Sequence, residues 1–190
     1  MTNDFDAHPL EQVRTVIRWL WLLVHAWGAT LSPLLRRGFG WRYFSGAAAL
    51  GVLIIPVYAV LTTPLHALLP FHCLFYVSVV LRIGHGVTAY WRRHAANAPH
   101  SRYNGQSLLT YWLSIDEELV KRELEPLLLL GVGHLLLHWH VPLAIYLMIG
   151  GCCLAIEDWV ISHQREILLT DCRDAAIEQR YLADDFQTPQ

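Results

Sequence analysis

GAAALGVLIIPVYAVLTTPLHALLPFHCLFYVSVVLRIGHGVTAYWRR, residues 46–93, is the stretch that decides the fold class. Its first part belongs to a segment from Tyr43 to Thr62 that is almost wholly apolar. About 20 such residues match one bilayer crossing. Pro56 is tolerable there because neighbouring helices satisfy the backbone group it frees. The second part, Leu65 to Trp91, is long enough to cross with tilt. It ends on Trp91, Arg92 and Arg93, an aromatic–basic boundary of the kind found at a membrane surface. TTPLH between the two reads as a hairpin tip.

A second apolar stretch, PLLLLGVGHLLLHWHVPLAIYLMIGGCCLAIEDWV, runs from Pro126 to Val160. It is too long for one span and divides at His138–Pro142. Each half has about 15 to 18 residues, slightly short for a 30 Å hydrocarbon core. Three readings accommodate this: the helices extend past these limits, the bilayer thins, or the hairpin is re-entrant. Ahead of both hairpins, Leu10 to Leu35 carries Val13, Ile17, Leu20, Val24 and Trp27 at helical spacing. Its uninterrupted apolar part is short, so an amphipathic helix lying at the interface is preferred to a fifth span.

Composition agrees with this reading. Charged residues make up 16% of the 190, against roughly 25% in a soluble domain. With 54% hydrophobic residues, the chain is not disordered, and a soluble globular enzyme is disfavoured. A net charge of -2 without a basic stripe argues against a nucleic-acid partner. Cys73, Cys152, Cys153 and Cys172 form no C-x-x-C, and three lie in apolar stretches, so they read as small hydrophobes. Asp4 and Asp6 replace the basic start of a cleavable signal, so the N-terminus is expected to be retained.

The fold expected is therefore all-α and polytopic, with about four transmembrane helices. Its parts are an N-terminal interfacial helix (1–42), a first hairpin (43–93), a loop and amphipathic helix (94–125), a second hairpin (126–160) and a helical tail (161–190). Ser114 and Glu117 match a capping box for the amphipathic helix, and Asn104-Gly105 marks a turn. Arginine placement sets the topology. Arg36, Arg37 and Arg42 precede the first hairpin, and Arg92, Arg93 and Arg102 follow it. Lys121 and Arg122 precede the second, and Arg165 follows it. The tips carry no Lys or Arg. The positive-inside rule then places both termini in the cytoplasm, in a cell's inner membrane. Trp19, Trp21, Trp27, Trp91 and Trp159 are the expected interface anchors.

Four groups of residues could carry chemistry or assembly. His72 and His134 share a depth below their tips, and with His138 and His140 they are candidate ligands for a b-type haem or a metal. Another haem pairing would be His85 with His25. The plainer reading is hydrogen bonding across helices or at the wet interface. Arg82 lies inside the third segment, where a charge costs about 2.5 kcal/mol or more unless it snorkels or pairs. Glu157 and Asp158 are candidate partners, with bundle fastening favoured over an ion pathway. Gly46, Gly51, Gly131, Gly133, Gly150 and Gly151 are candidate sites of close helix approach, within the chain or between subunits. Glu117, Glu118, Glu123 and Glu125 with Lys121 and Arg122 read as a solvated helix face.

No nucleophile elbow, zinc-protease, P-loop or dinucleotide motif occurs. The expectation is a non-enzymatic membrane subunit, with no resident cofactor, whose partners are the bilayer and other membrane proteins in a homo- or hetero-oligomer. A homo-oligomeric channel or membrane-perturbing effector is the first alternative. A haem-binding electron carrier is the second.

Overall fold

A computed structural model of the chain describes residues 7–43, 47–94, 99 and 103–187. They are mostly helical, in five helices. Helix α1 is Ala7–Leu35, α2 is Ala47–Thr62 and α3 is Leu69–Arg92. Helix α4 is assembled from Glu117–Leu119, a π-helical turn Val120–Leu124, and Glu125–Leu136. Helix α5 is Val141–Gln187, 47 residues without a break. Two helices, α3 and α5, are long and apolar enough to cross a membrane, and α2 contributes a shorter apolar helix, Gly51–Thr62.

Proline sets several boundaries. Pro64 disfavours the helical region for the residue before it, so α2 stops at Thr62. Pro70 falls in the first turn of α3, where the missing N–H costs nothing. Pro126 cannot donate to the Arg122 carbonyl, four residues back, and the helix loosens into its π-turn at that place. Both helices of the expected second hairpin run past its expected limits: α4 starts at Glu117, and α5 continues through the expected tail.

The residues before α4 depart from the expected amphipathic helix. Gln106–Ser107 forms a two-residue strand, β2, antiparallel to Arg36–Arg37 (β1), with Arg36 opposite Ser107. Gly105, at φ +83°, makes the turn into β2, and a Cβ there would press on Phe39. Leu109–Tyr111 is a single 3-10 turn whose first amide, Leu109, donates to the Ser107 hydroxyl. The α4 N-cap is Asp116, not Ser114. Glu117 is engaged elsewhere, so the capping box does not form.

The chain divides into two units, Met1–Glu157 and Asp158–Gln190. The first unit is a helix bundle around Leu31, Ile55, Phe71, Leu129, Tyr146 and Leu154. The C-terminal half of α1 belongs to this bundle and does not lie on a surface. Ala26, Ala29, Thr30, Leu31 and Ser32 are all buried. Two glycines allow the approach. A Cβ on Gly51 would meet the Ala26 carbonyl, and one on Gly150 would meet Leu31. The N-terminal half of α1 leaves Val13, Val16, Ile17 and Leu20 exposed. In the second unit, Trp159 stacks on His163 and the side chains from His163 to Tyr181 are exposed.

Candidate functional site

The most developed polar site sits where α1, α3 and α5 meet, and it begins with Pro33. A proline inside a helix cannot donate to the carbonyl four residues back. In α1 that carbonyl is Ala29, which is left without its helical donor. The Arg82 guanidinium, only 8% exposed, donates to it through Nη2. The Ser32 hydroxyl also reaches it, at 3.3 Å. The arginine that needed a partner is thus held by a backbone acceptor that a proline frees on a neighbouring helix.

Glu157, an expected partner of Arg82, is hydrogen-bonded to a histidine of α1. Its Oε1 lies 2.9 Å from His25 Nδ1. Toward an ionised carboxylate, which only accepts, Nδ1 is the donor. The Glu157 side chain is 3% exposed and that of His25 27%. The second oxygen, Oε2, is buried without a hydrogen-bond partner. It lies against Gly28 of α1, where a Cβ would stand 2.8 Å from it. His25 lies on α1, outside the helices that meet the length and apolarity of a span. Its hydrogen bond to Glu157 raises the imidazole above its ordinary value, although burial and the Arg82 charge act the other way. Asp158, the other expected partner, is the first residue of the second unit.

Hydroxyls complete the cluster. Tyr146 donates to Thr30 Oγ1 at 2.8 Å, and Thr30 donates to the Trp27 carbonyl. Ser32 and Tyr43 share a hydrogen bond of 2.9 Å. Trp27 is packed among Tyr58 and Tyr146, with ring centroids 5.5 and 5.1 Å away, and its indole donates to the Tyr146 carbonyl. It is a bundle residue and not the expected interface anchor. Trp19, Trp21, Trp91 and Trp159 are exposed.

A second polar site closes the end of the bundle at β1. Arg36 Nε and Nη2 both converge on Glu125 Oε2 at 2.6 Å, and the two side chains are 1% and 0% exposed. Lys121, on the π-turn, reaches Glu117 at 2.5 Å and Asn104 Oδ1 at 3.2 Å, and lies over the Tyr103 ring. Tyr103 donates to the same Glu117 oxygen at 2.5 Å. Burial alone would push the Glu117 carboxyl up. The Lys121 ammonium and the Tyr103 hydroxyl outweigh it and hold the group below its ordinary value. Glu125 and Lys121 therefore leave the expected solvated face and become buried partners.

The histidines are placed as follows. His140 donates from Nε2 to the Ala67 carbonyl at 2.9 Å and accepts from the Leu143 amide at Nδ1, which ties the two hairpin tips together. His72 donates from Nδ1 to the carbonyl of Leu68, the residue that caps the start of α3. His134 and His138 are exposed. His85 packs against the Phe39 ring at 5.2 Å, so it and His25 have different partners. Among the described residues no group of three or more His, Cys, Asp or Glu could hold a metal ion.

Of the glycines, Gly133 packs where a Cβ would strike Met148, Gly151 packs where a Cβ would stand 3.1 Å from the Pro126 carbonyl oxygen, and Gly131 faces open space. Gly46 lies outside the described residues. Sequence reasoning missed Arg36 and Glu125, which it read only as a topology marker and a surface acid. It also passed over Pro33, whose position four residues after Ala29 was the available signal. Comparison with protein-family models, with curated proteins and with solved structures finds no match.

Proposed function

We propose that this chain is a multi-pass protein of a cell's inner membrane, both termini cytoplasmic, that serves as a non-enzymatic subunit of a larger membrane assembly. The observation that carries the reading is the apolar exterior. Leu53, Val57 and Val60 on α2 are more than half exposed, as are Leu69, Val80 and Ile83 on α3. Contiguous apolar surface on that scale is unusual for a soluble monomer and ordinary against lipid or a partner. With no water in the bilayer core, helices satisfy their own backbone and such surface costs nothing.

Two features support assembly. Gly84, Gly86 and Gly131 meet nothing within 4 Å, which leaves shallow places for a second helix. The second unit exposes Ile167, Leu168, Leu169, Ile177 and Tyr181 along one long helix, surface that a partner would cover.

The test is native extraction in mild detergent, preceded by an alkaline carbonate wash of the membranes. The protein is expected to resist the wash and to migrate as an oligomer or with co-purifying subunits. Release by carbonate overturns the membrane reading. A strictly monomeric particle with no companion overturns the assembly reading. Ion flux through liposomes containing the pure protein would favour the channel alternative instead.

A further inference from the structure

We propose that His25 and Glu157 form a proton-dependent latch that fastens α1 to α5. The pair joins two helices far apart in sequence, at 2.9 Å, with the carboxylate buried and the imidazole edge open. Glu157 has committed one oxygen to His25, and the other is buried with no hydrogen-bond partner. That second oxygen packs against Gly28, where an added Cβ would stand 2.8 Å from it and push the carboxylate tip aside.

The charges around the pair set the sign. Arg82 on α3 acts on His25, against its protonation. Tyr43, in the segment after β1, and Cys153, one turn back on α5, feel the Glu157 charge. Both are neutral when protonated and leave Glu157 as the anion nearest the imidazole. A proton added at the other ring nitrogen of His25 converts a hydrogen bond from a neutral imidazole into an ion pair with that anion. The latch is therefore tightest when His25 is charged. Its extra stability is fully present below the ordinary imidazole value and is lost as pH rises through the higher value in the folded protein. Linkage is reciprocal: a partner that draws α1 away from α5 would release a proton.

The test is a titration of histidine-labelled full-length protein in nanodiscs by NMR, with the His25 signal assigned by its loss in His25→Gln. The midpoint is expected to lie above the ordinary value near 6.5. In Glu157→Gln it is expected to fall back to that value or below. A wild-type midpoint at or below the ordinary value overturns the latch without any variant having to fold. A raised midpoint that does not move in Glu157→Gln also overturns it. As a readout of fastening, the thermal stability of wild type relative to His25→Gln is expected to shrink as pH rises through the midpoint. A difference that stays constant with pH assigns the pair a purely structural role and refutes the latch.

Discussion

Removing the Glu125 carboxylate should be among the most damaging single changes in the bundle. Its side chain is fully buried, and both Arg36 donors converge on one of its oxygens. Glu125→Ala would leave a guanidinium that is 1% exposed without its counter-charge. Breaking a buried pair from one side costs about 3–5 kcal/mol. Glu125→Gln keeps the volume and an acceptor but loses the charge. Its cost should be about 1.5–3 kcal/mol, the range of a hydrogen bond to a charged group. The informative variant is Arg36→Met with Glu125→Leu. Replacing both partners by apolar groups removes the desolvation cost together with the attraction, so the double variant should lie within about 2 kcal/mol of wild type. Reversible unfolding in detergent, followed by far-ultraviolet circular dichroism, measures these proteins, wild type and the single variants Arg36→Met and Glu125→Leu. A Glu125→Ala cost below about 1 kcal/mol would refute the reasoning. So would a double variant whose cost equals the sum of the single losses, because the two sites would then be independent.

Other outcomes follow from the same geometry. Gly150→Val should cost about 1–3 kcal/mol by overpacking against Leu31. Gly131→Ala, which meets open space, should be neutral or stabilising by up to about 1 kcal/mol. Thermal unfolding of the two variants separates these cases. Glu117 is held below its ordinary value, so its contribution is present above the ordinary carboxylate range and disappears as pH falls through the lowered value. The stability gap between wild type and Lys121→Met should accordingly close on acidification, and a gap that widens would contradict the pairing. Pro33→Ala supplies a helical donor to the carbonyl that Arg82 uses. The substitution should therefore gain more in an Arg82→Met background than in wild type. A coupling of about 0.5–3 kcal/mol in a double-mutant cycle is expected, and strict additivity would count against it.

The helices were largely legible because their signals are local. Apolar runs, Pro64, Pro70 and the tips at 62–68 and 137–140 are set by neighbours in the chain, and the hairpin breaks fall where those residues predict. The stretch ahead of α4 was misread for the opposite reason. Residues 107–116 have a tolerable helical pattern, but a two-residue ladder with β1 claims Gln106 and Ser107, and Lys121 and Tyr103 claim Glu117. Those partners are distant in sequence, and they outweigh a weak local preference.

By itself the sequence determined an α-helical chain with two hairpins and a charge-poor composition. Helical periodicity, proline stereochemistry and apolar run length depend only on nearby residues. The tertiary structure alone decided which polar groups are buried and with whom. Glu125 reads like Glu123, and His25 reads like any histidine beside a tryptophan, until packing selects a face. The physical reason is that burial makes a polar group's partner obligatory. That partner is chosen by helix crossing: Arg82 at a carbonyl freed by Pro33, Glu157 at His25 and Arg36 at Glu125.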